Sequence, residues 1–105
     1  MKSIILLLTL VTMSLANNIG TFKAYVFTKD DGSYYLPVII KNCKPTQINW
    51  PDGRFTAISG VLMSSSNYSG EWTYKFNITE SKTTYTKRGV SDIILPTYYK
   101  LVGCK

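Results

Sequence analysis

The segment from residue 71 to residue 79 alternates strictly between large apolar and polar side chains. Because neighbouring side chains of a β-strand point to opposite faces, this pattern predicts a strand with one buried and one solvated face. A strand of this kind needs further strands that cover its buried face. The apolar set is Trp72, Tyr74, Phe76 and Ile78, and the polar set is Glu71, Thr73, Lys75, Asn77 and Thr79.

Shorter segments rich in Tyr, Thr, Ile and Val recur along the chain, and turn residues separate them. Such segments predict strands, and no helical periodicity is sustained between them. Pro37 predicts an edge position or a bulge, because proline cannot donate to a strand ladder. We expect an all-β fold, a small antiparallel β-sandwich or partly open barrel of about seven short strands. The predicted strands are residues 21–28, 33–42, 46–50, 54–63, 71–79, 83–87 and 93–102, with a loop at residues 64–70.

The first sixteen residues have the features of a secretory signal. Lys2 precedes an apolar run at residues 4–11, and Ser14 and Ala16 occupy the −3 and −1 positions of a cleavage site. We expect a cleaved signal peptide at residues 1–16 and a single extracellular β domain at residues 17–105. An uncleaved anchor is the alternative. No later segment is long enough to span a membrane, so the expected localisation is secreted.

Two cysteines, Cys43 and Cys104, lie 61 positions apart. The secretory route is oxidising, and a domain this small benefits from a covalent link, so we expect a disulfide between them. Two free thiols or an intermolecular bridge are the alternatives. A single pair at this separation matches no zinc or redox motif.

The absence of histidine limits the chemistry that the chain can perform. It excludes Ser-His-Asp and Cys-His catalysis and most zinc sites, so we expect no metal, no cofactor and no enzyme activity. A polysaccharide hydrolase is a remote alternative, with a carboxylate pair drawn from Asp30, Asp31, Asp52, Glu71, Glu80 and Asp92. The net charge of +6 comes from scattered residues rather than a basic helix or stripe, and therefore does not predict nucleic-acid binding.

Asn67 and Asn77 each begin an Asn-X-Ser/Thr triplet, and we expect both to accept N-linked glycans in a host that glycosylates. Asn67 falls in the predicted loop. Asn77 falls on the polar face of the alternating strand, where a glycan would extend into solvent.

Two adjacent tyrosine pairs are candidate ligand-binding residues. Because neighbours in a strand point to opposite faces, one ring of each pair is expected to be exposed, where it could stack on a sugar or anchor a protein interface. The alternative is that these rings fill the second face of a sheet. Trp50 could contact a ligand or partner from the loop at residues 50–54, or it could be a buried anchor beside the turn there. Lys41 and Lys44 flank Cys43 and could receive an anion, although lysines also protect strand edges. The tyrosines are Tyr34, Tyr35, Tyr98 and Tyr99.

These features predict a secreted, disulfide-bonded glycoprotein that acts as a binding module for carbohydrate or a cell-surface protein. A secreted inhibitor or effector is the alternative, with the loops at residues 50–54 and 64–70 contacting a partner protein. The sequence alone predicts neither the ligand nor the oligomeric state.

Overall fold

The computed structural model describes residues 19–97 and residue 101. The predicted signal peptide, Tyr98, Tyr99 and Cys104 lie outside these residues. In the described part of the chain, no helix has the length and hydrophobicity needed to cross a membrane. The strands are β1 (Gly20–Thr28), β2 (Ser33–Lys41), β3 (Lys44–Asn49), β4 (Phe55–Tyr68), β5 (Glu71–Glu80) and β6 (Val90–Thr97).

The strands form a closed antiparallel barrel in the order β1-β2-β3-β4-β5-β6. Each strand pairs with the next, and β6 pairs with β1 from Tyr25↔Ile94 to Thr28↔Val90. The predicted all-β antiparallel class is confirmed. The described strands number six rather than about seven, and they form one closed sheet rather than a sandwich or a partly open barrel. The barrel closes because β1 pairs with β2 along one edge and with β6 along its other edge.

Two predicted elements were wrong. The serine-rich segment at residues 64–68, predicted as a loop, continues β4, because its residues pair with β5 from Ser64↔Lys75 to Tyr68↔Glu71. Residues 83–87, predicted as a strand, belong to an irregular loop at residues 81–89. Backbone hydrogen bonds from Ser81 N to Ala57 O and from Thr86 N to Phe55 O hold this loop against β4.

The barrel interior collects the apolar half of each alternating strand. In β5 the predicted inward residues pack on the core, with Phe76 fully buried and Trp72 half-buried. The buried hydroxyl of Tyr74 has a hydrogen-bond partner, because it accepts a bond of 2.8 Å from Leu101 N. The buried hydrophobic residues are Ala24, Val26, Leu36, Val38, Ile40, Ile48, Trp50, Ile58, Tyr74, Phe76, Ile78, Val90, Ile93, Leu95 and Leu101.

In the described ladders, the strand prolines lie at positions that pair with a neighbouring strand on one side only. Pro37 pairs with Lys23 of β1, and pairing with β3 begins only at Val38. Pro96 pairs with Thr73 of β5, beyond the last β6 residue paired with β1. The barrel thus accepts residues without an N–H donor because its neighbouring strands are offset along their length.

Candidate functional site

The outer surface of the β1–β2 hairpin carries two adjoining exposed tyrosines. Tyr25 and Tyr35 are direct cross-strand partners, and their ring centroids lie 4.8 Å apart with an angle of 37° between the ring planes. The two residues are 46% and 51% exposed. This exposure leaves much of both rings accessible to a ligand. We call this pair the tyrosine face.

The β1–β2 turn sets the register that brings these rings together. Thr28 N donates to Gly32 O at 2.8 Å, and the Thr28 hydroxyl donates to the same oxygen at 2.8 Å. The Thr28 hydroxyl also accepts from Asp31 N at 3.0 Å. Gly32 closes the turn at a φ of 79°, a conformation that favours glycine. The resulting pairing places Tyr25 opposite Tyr35.

A shallow groove of about 270 Å³ lies beside Tyr35. It forms where the β2–β3 ladder ends at Val38↔Ile48, so that the segments at residues 35–37 and 49–51 do not pair with each other. Pro37 lacks the N–H that would help to extend this ladder. We call this feature the Tyr35 groove. Its described lining residues are Lys23, Tyr35, Leu36, Pro37, Asn49, Trp50 and Pro51.

Polar side chains of β1 and β3 border the Tyr35 groove. The Lys23 ammonium lies 5.8 Å from the centroid of the Tyr35 ring, within the range of a cation–π contact. Across the groove, Asn49 Oδ1 accepts a hydrogen bond of 2.8 Å from Gln47 Nε2, which orients the Asn49 amide. In such an arrangement, the aromatic ring can stack on the apolar face of a ligand ring. The neighbouring cation and amide can then bond to the polar substituents of that ligand.

Two predicted site residues instead pack on the core. Trp50 is 4% exposed, and its indole N–H donates to the Thr56 hydroxyl at 2.7 Å. Tyr34 is half-buried and meets Trp50 edge to face, with ring centroids 5.6 Å apart. Trp50 is therefore a buried anchor beside its turn, one of the two roles that the sequence allowed, and it contributes only part of the groove wall.

The structure separates the candidate lysines from the tyrosine face. Lys41 and Lys44 are exposed cross-strand partners on either side of the Asn42–Cys43 turn. Lys41 lies six positions along β2 from Tyr35, about 20 Å along a strand. Cys43 lies in this turn with a φ of 66°. Its predicted partner Cys104 lies outside the described residues, so this disulfide stays a prediction.

Both glycosylation candidates are exposed. Asn67 lies near the end of β4 rather than in a loop, and its Oδ1 accepts a hydrogen bond of 3.1 Å from Gly70 N. N-linked sugars are attached through the amide nitrogen, so this bond does not compete with a glycan. Asn77 lies in β5 between Val61 of β4 and Asp92 of β6.

Two of the carboxylates considered for the remote hydrolase alternative, Asp52 and Glu71, lie far apart. Asp52 lies in the turn before β4 and Glu71 follows the turn after it, so about 40 Å of strand separates them. Hydrolytic carboxylate pairs lie within about 10 Å of each other. Asp52 instead caps Arg54 N at 3.0 Å and pairs with Arg88 at 3.3 Å. Among the described residues, no three His, Cys, Asp or Glu side chains cluster to hold a metal ion.

A second exposed aromatic cluster lies where β4 meets the loop at residues 81–89. The ring centroids of Phe55 and Tyr85 are 5.6 Å apart, and the Arg54 guanidinium lies 5.9 Å from the Tyr85 ring. Tyr85 is 66% exposed and Phe55 is 37% exposed. We call these three residues the loop cluster.

Lys23, Tyr25 and Asn49 were not among the residues predicted from the sequence. The alternation of β1 was the available signal, since buried Ala24 and Val26 leave Lys23 and Tyr25 on the outer face. Their approach to Tyr35 depends on the hairpin register, which alternation alone does not provide.

Comparison of the chain with protein-family models, with curated proteins and with solved structures finds no match in any of the three.

Proposed function

We propose that this protein is a secreted, disulfide-bonded glycoprotein that acts as an extracellular carbohydrate-binding module. The observation that carries the proposal is the pair of exposed, adjoining rings of Tyr25 and Tyr35 beside the Tyr35 groove. Aromatic faces bind the apolar faces of sugar rings, and exposed tyrosine offers this contact at a small cost in side-chain entropy.

The shape of the tyrosine face favours a short sugar over a flat polymer surface. An interplanar angle of 37° prevents both rings from lying on one plane. A flat polysaccharide face would therefore contact one ring well and the other poorly. A sugar residue at the end of a glycan chain can stack on Tyr35 and extend into the groove toward Asn49, whose amide carries two N–H donors.

Secretion and glycosylation support the same proposal. A signal peptide at residues 1–16 would deliver the domain to the compartment where cell-surface glycans are found. Glycans at Asn67 and Asn77 would attach to other strands, β4 and β5, and leave β1 and β2 accessible.

A glycan array with the secreted protein tests this proposal. We expect binding to a subset of glycans, and we expect Tyr35→Ala to lower the affinity for them about tenfold, equivalent to about 1.4 kcal/mol. Tyr25→Ala should have a smaller effect, because Tyr25 does not line the groove. Tyr68→Ala is the matched control, since Tyr68 is 83% exposed at the far end of β4.

Binding that survives both substitutions on the tyrosine face would overturn the assignment of this site. If no glycan binds, but cell-surface protein is captured and Tyr35→Ala abolishes the capture, the tyrosine face is a protein-binding surface instead.

The loop cluster supports a second candidate function, a secreted inhibitor or effector that contacts a partner protein. Arg and Tyr are enriched among the residues that dominate protein interfaces. We expect Arg54→Ala and Tyr85→Ala to abolish capture of the partner from cell-surface extract while the unfolding midpoint is unchanged. Normal capture by both variants would contradict this candidate.

A further inference from the structure

The Tyr35 groove is bordered by a positive charge, which limits the kinds of ligand that it favours. Of the described residues that line it, Lys23 is the one with a charged side chain. The residue is exposed, so its ammonium can meet a ligand without a large desolvation cost.

We infer that the ligand of the Tyr35 groove is a sugar residue with an anionic group, either a carboxylate or a sulfate. This inference rests on the proposed carbohydrate-binding function and specifies the class of sugar. The Lys23 ammonium receives the anionic group, the Tyr35 ring stacks on the sugar ring, and Asn49 donates to a ring substituent.

The placement of Lys23 gives the groove its preference. An ammonium 5.8 Å from the Tyr35 centroid lies close enough for one sugar residue to contact the ring and the cation together. A neutral sugar gains only the ring and amide contacts. An anionic sugar adds a charge-assisted hydrogen bond, which is stronger than a neutral one. Removal of residues 1–16 takes Lys2 from a chain of net charge +6 and leaves +5, and this positive charge favours the approach of the same ligands.

Calorimetry with chemically matched oligosaccharides tests the inference. The probes are a uronic-acid oligosaccharide, the same oligosaccharide after reduction of its carboxyl groups to alcohols, and a sulfated oligosaccharide. We expect the uronic-acid probe to bind about tenfold more tightly than its reduced form. A rise in salt from 0.05 M to 0.5 M should remove most of this difference, because salt screens exposed charges. Comparison with the sulfated probe shows which anionic group the groove prefers.

Variants of Lys23 assign the effect to the groove. Lys23→Gln should reduce the preference for the anionic probe over its reduced form to about onefold, with the larger loss of affinity on the anionic probe. Lys23→Arg should retain the preference, because it keeps the positive charge. Lys41→Gln is the matched control, since it removes the same charge from an exposed position at the other end of β2.

Each contrary result has a distinct meaning. If the reduced and charged probes bind equally, or if Lys41→Gln but not Lys23→Gln removes the preference, the inference is wrong while carbohydrate binding stands. If no probe binds and the glycan array is also negative, the proposed function itself fails.

Discussion

At the scale of single residues, Trp50 joins three separate parts of the chain. Its indole N–H donates to the Thr56 hydroxyl at 2.7 Å, and that hydroxyl donates to Thr86 O at 2.6 Å. The Arg88 guanidinium lies 4.6 Å from the Trp50 ring. These contacts connect the end of β3, the start of β4 and the loop at residues 81–89. Trp50 thus holds together the wall behind the Tyr35 groove.

We predict that Trp50→Phe destabilises the protein by about 2–3 kcal/mol. The substitution removes a buried hydrogen-bond donor, leaves Thr56 with one partner fewer, and opens space in the core. Urea unfolding followed by circular dichroism measures the loss. The control is Tyr68→Phe, at an 83% exposed side chain, which should change stability by less than about 0.5 kcal/mol. A stable Trp50→Phe variant that lost ligand binding would instead show a direct binding role.

At the scale of elements, β3 and β4 approach each other closely beyond their paired residues. β3 and β4 pair only from Gln47↔Ala57 to Asn49↔Phe55. Further along β4, the backbone at Gly60 lies so close to β3 that a Cβ atom there would be 2.4 Å from Pro45 Cγ and 2.9 Å from Pro45 Cδ. The rigid ring of Pro45 is buried and has no room to move aside. Glycine at position 60 therefore lets the two strands pack together.

We predict that Gly60→Ala destabilises the barrel by about 1–3 kcal/mol, because the added methyl group must displace Pro45 or Ile78. Thermal unfolding measures the change. Ser59→Ala is the matched control, at the neighbouring exposed position on the outer face of β4, and should be close to neutral. A Gly60→Ala variant as stable as the Ser59→Ala variant would show that the contact relaxes without cost.

At the scale of the whole molecule, the barrel depends on three short ladders. Among the described residues, the β1–β6 and β2–β3 ladders contain four pairs each, and the β3–β4 ladder contains three. The β4–β5 ladder is much longer, with ten pairs. A disulfide between Cys43 in the β2–β3 turn and Cys104 would constrain the unfolded chain without adding pairs to any of these ladders.

We predict that reduction of the Cys43–Cys104 disulfide destabilises the protein by about 4 kcal/mol, the chain-entropy value for a loop of this length. Urea unfolding with and without a reducing agent measures the difference. The Cys43→Ser/Cys104→Ser double variant should match the reduced protein. Two titratable thiols in the untreated secreted protein, or a covalent dimer on a non-reducing gel, would contradict the intramolecular bridge.

By itself, the sequence determined the all-β class, the faces of β5 and the turn at residues 51–53. These features depend on the local alternation of side chains and on turn residues, and each of these patterns is contained in one short segment of the sequence. In the candidate site, the same local reasoning identified Tyr35 as one member of a pair with an exposed ring.

Only the tertiary structure decided closure, register and the partners of Tyr35. A four-residue turn at residues 29–32 would place Thr28 opposite Ser33, whereas the observed ladder pairs Phe27 with Ser33. One residue of register decides which side chains meet, and it therefore decides whether Tyr25 lies beside Tyr35. Likewise, residues 64–68 resemble a loop in composition and become a strand because β5 pairs with them. Closure and the pairing of residues 64–68 depend on contacts between separate strands, and the hairpin register depends on hydrogen bonds within the turn at residues 28–32. The alternation of side chains encodes none of these features.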